Sequence, residues 1–166
     1  TAFGDFYFST LIQVVKDRLF PNTLIRFAAR TASGNQLEAA RYSDAPGYFT
    51  DLSMSKVWGN NLSGRFRPFG LIGFYAWQTN SDLYLQNDAL LYAYGADVMY
   101  RNWLLSAALS GYSGYIGRRD KPKQLNFDLR KDFNRLAFRV QYLYGLRDWE
   151  YQTVKLSFIW KMNPIE

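Results

Sequence analysis

Residues 136–144 read LAFRVQYLY, and the order of apolar and polar residues in them indicates the fold class of the chain. Its even-numbered positions carry apolar and aromatic residues, whereas Arg139 and Gln141 occupy odd-numbered positions between them. A period of two places successive side chains on opposite faces of an extended chain, while a helix would repeat every 3.6 residues. The stretch therefore predicts a β-strand with one apolar face and one polar face.

The same alternation recurs along the chain. It is clearest in residues 90–100, 103–112, 125–130 and 153–162, and it is less regular in residues 5–15, 25–30, 51–55 and 65–77, where Pro68 predicts a bulge or bend. About nine strands of roughly 10 to 14 residues result, which is close to the length that a tilted strand needs to cross a bilayer. We predict an all-β protein, an antiparallel up-and-down transmembrane β-barrel.

The predicted connections fall into two sets. Residues 31–47, 78–88, 116–123 and 146–150 would lie at one end of the strands, and residues 16–22, 59–64, 101–102 and 132–135 at the other. The first set is mostly long and the second mostly short, as in membrane barrels with long outer loops and short periplasmic turns.

The strand count predicts an incomplete barrel. Nine strands with a periplasmic C-terminus would start the first strand outside the cell, whereas single-chain bacterial barrels have an even number of strands. We therefore expect residues 1–166 to be a single transmembrane β-barrel domain that lacks one or more N-terminal strands. The intact barrel would have ten, twelve or more strands.

The composition narrows the function classes. Aromatic residues make up 19% of the chain, and both histidine and cysteine are absent. Serine–histidine hydrolysis, thiol chemistry and sites built from His or Cys metal ligands are thereby excluded. We expect no enzymatic activity and no cofactor. The formal net charge is +6, but aromatic and basic residues occupy opposite strand faces, so we expect no nucleic-acid binding.

The two strand faces define the candidate site residues. Charged residues of the polar face are predicted to line the lumen: Arg26, Arg30, Asp51, Asp97, Arg101, Asp128, Arg130, Arg139 and Lys155, with Asp5, Arg65 and Arg67 as additions. This set has a net positive charge, so the lumen would favour anions unless its charges pair across strands. Aromatic residues of the apolar face are predicted to form lipid-facing girdles: Tyr92, Tyr94, Tyr100, Trp103, Tyr142, Tyr144, Phe158 and Trp160.

Short motifs add a family resemblance. The opening Gly4-Asp5-x-Tyr7, the turn at residues 31–35 (TASGN) and the loop at residues 40–48 (ARYSDAPGY) resemble uncharacterised outer-membrane β-barrels of the Bacteroidota. They loosely resemble the transporter barrels of aromatic-degradation clusters. The alternating aromatic tail, residues 154–162, resembles the last strand of Gram-negative barrels in general. It departs from their usual terminal aromatic residue, because residues 161–166 follow Trp160.

Three functions remain open at this point. The first is passive or selective passage of a small solute through a polar, net-basic lumen in the bacterial outer membrane. The second is a non-conducting subunit that anchors a larger outer-membrane complex, and the third is a soluble, lipocalin-like carrier. The expected partners are membrane lipid, other outer-membrane proteins and lipopolysaccharide, which Arg118, Arg119, Lys121 and Lys123 would contact.

Overall fold

A computed structural model of the 166-residue chain describes residues 5–33, 46–60, 63–78, 85–114, 120–148 and 150–160. Strands dominate these residues. Their bounds are β1 Tyr7–Val15, β2 Asn22–Arg30, β3 Gly47–Ser55, β4 Trp58–Asn60, β5 Gly64–Gln78, β6 Gln86–Tyr100, β7 Trp103–Gly114, β8 Lys123–Asp132, β9 Leu136–Arg147 and β10 Gln152–Trp160.

The strands form one ten-stranded antiparallel sheet. Its order is β1-β2-β3-β5-β6-β7-β8-β9-β10, and the short β4 pairs with β5 outside this path. The all-β antiparallel prediction is confirmed, because each long strand pairs with its neighbour in sequence. The sequence pattern did not predict β4. The predicted closed barrel is not formed: β1 and β10 end the strand order, and the described residues contain no pairing between them.

The sheet residues divide into two compact units. Unit 1 comprises Thr1–Met54, Leu71–Tyr92 and Tyr112–Lys121, and unit 2 comprises Ser55–Gly70, Ala93–Gly111 and Pro122–Glu166. The boundary passes within β5, β6 and β7, so each of these long strands contributes to both units.

The register in unit 2 is regular. β9 pairs with β10 without interruption from Gln152 opposite Tyr144 to Trp160 opposite Leu136. β8 pairs with β9 with a single irregularity between Lys123 and Gln124. Because side chains alternate across each strand, this register keeps Asp128, Gln141 and Lys155 on one face.

The turn between β6 and β7 fixes two neighbouring strands in unit 2. Arg101 and Asn102 join β6 to β7, and Arg101 adopts a φ of 51°. Glycine is required within β4, because Gly59 has a φ of 92° and a Cβ there would overlap the carbonyl oxygen of Gly64. β5 continues without a break through Pro68, whose carbonyl oxygen accepts a hydrogen bond from the Lys56 amide at 3.3 Å.

The described residues contain no large buried apolar side chain. The buried hydrophobic residues are all alanines: Ala28, Ala76, Ala89 and Ala137. Large apolar side chains are instead exposed on every long strand, up to 73% for Leu156 and 75% for Phe158. The stretches that the structure describes include no helix with the length and apolarity to cross a membrane.

Candidate functional site

The strand register separates a polar face from an apolar face. On the polar face of unit 2, Asp128 lies opposite Gln141, and Gln141 lies opposite Lys155 on β10. On the apolar face, Leu129 lies opposite Val140, and Val140 lies opposite Leu156. The alternation seen in the sequence therefore sorts charged and apolar side chains onto opposite sides of paired strands.

An aspartate–arginine pair lies on the polar face of unit 1. Arg26 on β2 donates from Nε to Oδ2 of Asp51 on β3 at 2.7 Å, and its Nη2 lies 2.6 Å from the same oxygen. Asp51 is 5% exposed. The Arg26 guanidinium also lies 4.9 Å from the ring centroid of Phe49. Arg26 is thus fixed by a carboxylate and an aromatic ring together.

A second charge pair in unit 1 joins Arg30 to Asp5. Arg30 Nε lies 3.7 Å from Asp5 Oδ2, and both side chains are largely buried. The Arg30 guanidinium lies 5.7 Å from the ring centroid of Tyr75. An arginine, a carboxylate and an aromatic ring therefore recur together on this face.

The same pairing occurs twice in unit 2. Arg67 on β5 donates from Nε to Oδ2 of Asp97 on β6 at 2.7 Å. Arg139 on β9 donates from Nε to Oδ2 of Asp128 on β8 at 2.6 Å. In both pairs Nη2 of the arginine also contacts the same oxygen. Asp97 and Asp128 are 3% and 9% exposed.

Further hydrogen bonds extend the polar face around Asp128. Gln141 donates from Nε2 to Asp128 Oδ2 at 3.3 Å, and Arg130 pairs with Asp132 on its own strand at 2.9 Å. Asp128 Oδ1 is buried and has no hydrogen-bond partner among the described residues. Arg130 and Arg139 lie directly opposite one another, and each turns toward its own carboxylate.

The ion pairs change the expected electrostatics of the polar face. Five arginines that were predicted to line a basic lumen each have a carboxylate partner; they are Arg26, Arg30, Arg67, Arg130 and Arg139. Arg65 and Lys155 are exposed and form no ion pair within the described parts of the chain. The positive charge that is left on this face is therefore smaller than the sequence count suggests.

Arg101 lies apart from the other predicted lumen residues. It belongs to the β6–β7 turn, is exposed, and places its guanidinium 5.3 Å from the ring centroid of Tyr100. Strand β6 ends at Tyr100. The alternation of strand faces therefore does not extend to Arg101, and it cannot predict the side of the sheet on which the Arg101 side chain lies.

The apolar face carries the aromatic residues predicted as girdles. Tyr100 ends β6, Trp103 begins β7, and Trp160 ends β10. Tyr92 and Tyr94 lie near the middle of β6 instead of at an end. Most of the girdle residues are exposed: Tyr94, Tyr100, Trp103, Tyr144, Phe158 and Trp160.

One cation on the apolar face was not singled out from the sequence. Lys131 lies opposite Trp103 on one side and opposite Phe138 on the other. Its ammonium nitrogen is 4.4 Å from the ring centroid of Trp103. The sequence alone could have predicted this position, because Lys131 follows Phe127 and Leu129 at intervals of two residues and therefore lies on the same strand face.

A polar ladder between β7 and β8 was also not predicted. Ser110 Oγ accepts hydrogen bonds from Gln124 Nε2 at 3.2 Å and from Asn126 Nδ2 at 2.9 Å. These residues share the polar face with Asp128. Uncharged side chains thus take part in the network that holds the polar face together.

The predicted lipopolysaccharide contacts lie only partly in the described structure. Arg118 and Arg119 fall outside the described residues. Lys123 begins β8 and is exposed, and Lys121 precedes it in the connection from β7. The structure therefore places two of these four basic residues at the start of β8.

Neither a metal site nor a similarity to known proteins identifies a function for the polar face. In the described segments, no three or more His, Cys, Asp or Glu residues are arranged to hold a metal ion. Comparison with models of known protein families, with curated proteins and with solved structures finds no match to this chain.

Proposed function

We propose that this chain forms the wall of a bacterial outer-membrane β-barrel that gives passage to a small solute along its polar face. The apolar face would contact lipid, and the charged face would line the lumen. Closure of this barrel would pair β1 and β10 with each other or with further strands. The lumen would be polar, with its remaining positive charge at Arg65 and Lys155.

One observation carries the proposal: the paired aspartates of the polar face are more buried than the large side chains of the apolar face. Asp97 is buried on the polar face, whereas Leu156 and Phe158 are largely exposed on the apolar face. Burial of apolar surface is the main source of stability for a protein in water, at about 25 cal/mol per Å². Among the residues that the structure describes, the buried hydrophobic side chains are alanines only, so this source is small, and a lipid environment would supply it.

This observation disfavours the soluble, lipocalin-like carrier. Such a carrier keeps its polar face in water and covers its apolar side chains. Here the aspartates of the polar face hold arginines across neighbouring strands, and the large side chains of the apolar face are left uncovered. Exposed apolar surface of this extent is typical of a protein that contacts a membrane or a partner.

The ion pairs favour a second candidate, the non-conducting subunit that anchors a larger outer-membrane complex. A lumen crossed by aspartate–arginine pairs would be held closed by them if the barrel were narrow. Barrel width depends on the number of strands. The two candidates share the same membrane location and differ only in conductance.

Planar-bilayer recording tests the proposed passage. The protein refolded in detergent is added to one chamber, and single-channel currents are measured over a wide voltage range. Passage predicts steady, stepwise conductance, whereas the anchoring role predicts none. Migration on a denaturing gel, with and without boiling, tests the barrel itself: a folded barrel runs faster when unboiled, and identical migration of a detergent-free soluble protein contradicts the membrane location.

A further inference from the structure

Lys131 lies in a row of aromatic side chains on the apolar face of unit 2. The row crosses four strands, with Trp103 on β7, Lys131 on β8, Phe138 on β9 and Phe158 on β10, each directly opposite the next. The rings of Phe138 and Phe158 meet edge to face with centroids 4.8 Å apart. We call these four residues the aromatic row. Lys131 is the one cation among them.

Contact with the ring of Trp103 holds the Lys131 ammonium on this face. Its nitrogen lies 4.4 Å from the Trp103 ring centroid, which is within the range of a cation–π interaction. The methylene stem of a lysine can lie on apolar surface while its charge reaches a polar layer. Lys131 therefore marks a level on the apolar face at which charge is tolerated.

A second cation lies at the same end of the strands. Arg101, in the turn between β6 and β7, places its guanidinium over Tyr100. Neither Arg101 nor Lys131 forms an ion pair with a carboxylate of the described residues. The acids nearest to them in sequence pair with other arginines, Asp132 with Arg130 and Asp97 with Arg67. Both cations can therefore receive an external anion.

We propose that Lys131 and Arg101 bind the phosphate of an anionic glycerophospholipid, whose acyl chains lie along the apolar face beside them. Leu129 lies one row further along β8, opposite Leu105 and Val140, and supplies the apolar surface for those chains. A phosphate attracts both cations, and the aromatic row lies at the level of a headgroup. This inference rests on the proposed membrane location of the chain.

The position of the two cations along the strands favours a phospholipid over lipopolysaccharide as the bound lipid. They lie at the turns formed by residues 101–102 and 133–135, whereas Lys121 and Lys123 lie at the opposite end of β8. In the proposed orientation the short turns face the periplasm, and the periplasmic leaflet of an outer membrane consists of phospholipid. Lipopolysaccharide would meet the other end of the strands.

Lipid titration of the refolded chain in detergent micelles tests the site. The variant K131Q/R101Q removes both charges, and the variant K121Q/K123Q removes two charges from the other end of β8 as a matched control. We expect phosphatidylglycerol to bind more tightly than phosphatidylcholine, and K131Q/R101Q to weaken phosphatidylglycerol binding by about 10- to 30-fold. The control variant should keep the affinity of the unmodified chain.

Three results would overturn the inference. They are unchanged phosphatidylglycerol affinity in K131Q/R101Q, an equal loss in the control variant, and displacement of the lipid by an equal concentration of inorganic phosphate. The variant K131R keeps the charge and should keep the affinity, which separates loss of charge from misfolding. Insertion into phosphatidylcholine vesicles is measured separately: a chain that inserts without preferring anionic lipid refutes only the lipid site, whereas a chain that fails to insert refutes the proposed function as well.

Discussion

Asp97 on β6 accepts a hydrogen bond from Arg67 on the neighbouring strand β5, with Arg67 Nε 2.7 Å from Asp97 Oδ2. The aspartate is only 3% exposed. Corresponding pairs join Arg26 to Asp51 and Arg139 to Asp128. In each pair the carboxylate is buried and the arginine is partly exposed. The polar face of the sheet is therefore an ordered set of cross-strand ion pairs, while the apolar face is left uncovered.

The Arg67–Asp97 pair gives a first prediction. Arg67→Gln leaves a buried carboxylate without its guanidinium, and breaking a buried pair costs about 3–5 kcal/mol. Because the Arg67 side chain is 42% exposed, we expect a smaller loss, about 1–2 kcal/mol in the free energy of unfolding. Arg65→Gln is the matched control on the same strand and face. Urea titration of the refolded protein measures both, and equal losses would contradict the assigned role of Arg67.

Replacing both partners of a pair gives a second prediction. Arg26→Met leaves Asp51 buried without its guanidinium and should destabilise the fold. Adding Asp51→Leu removes the buried charge, so the double variant should recover part of the lost stability. Denaturant unfolding of both single variants and of the double variant gives the coupling energy. Strictly additive losses would show that the two side chains do not depend on each other.

Close strand packing gives a third prediction. A Cβ at Gly95 would lie 2.7 Å from the Cα and 2.8 Å from the Cβ of Ala108, whereas a Cβ at Gly70 would lie 3.9 Å from the carbonyl oxygen of Ala93. We expect Gly95→Ala to lower the free energy of unfolding by about 1–3 kcal/mol through overpacking. Gly70→Ala, which has room for its methyl group, should be close to neutral. Thermal unfolding of the two variants compares them, and equal midpoints would contradict the close approach of β6 and β7.

Adjacent residues on β9 give a fourth prediction. In a bilayer, Val140→Arg places a charge on the lipid-facing side near the middle of the strand, at a cost of about 2–4 kcal/mol. Gln141→Arg places the same charge on the polar face, opposite Asp128, and should cost much less. Unfolding from lipid vesicles measures the difference. A larger loss for Gln141→Arg would reverse the proposed assignment of the faces.

Most strands of the sheet can be predicted from the sequence, because the alternation of apolar and polar residues is a local property of each strand. Alternation within residues 136–144 is enough to predict a strand and to separate its two faces. The same alternation assigns Arg139 and Gln141 to a common face, since they are two positions apart. The nine long strands are predictable from the sequence for this reason.

The partners of the charged residues could not be predicted in the same way. Which carboxylate meets Arg139 depends on the register between β8 and β9, and that register is fixed by the turn and by the irregularity at Lys123. Arg101 illustrates a related limit, because its direction is set by a turn with positive φ and not by alternation. Short strands such as β4 contain too few residues to show any period.

Site-directed spin labelling along β7 shows whether the apolar face of the sheet contacts lipid or water. The chain contains no cysteine, so single cysteines at residues 104, 105, 106, 107, 109 and 110 can each carry one nitroxide without a background label. In lipid vesicles, we expect more collisions with oxygen than with a water-soluble nickel chelate at Leu105, Ala107 and Leu109, and the reverse order at Leu104, Ser106 and Ser110. If the nickel chelate collides more at Leu105, Ala107 and Leu109, the apolar face lies in water and the proposed membrane location is wrong.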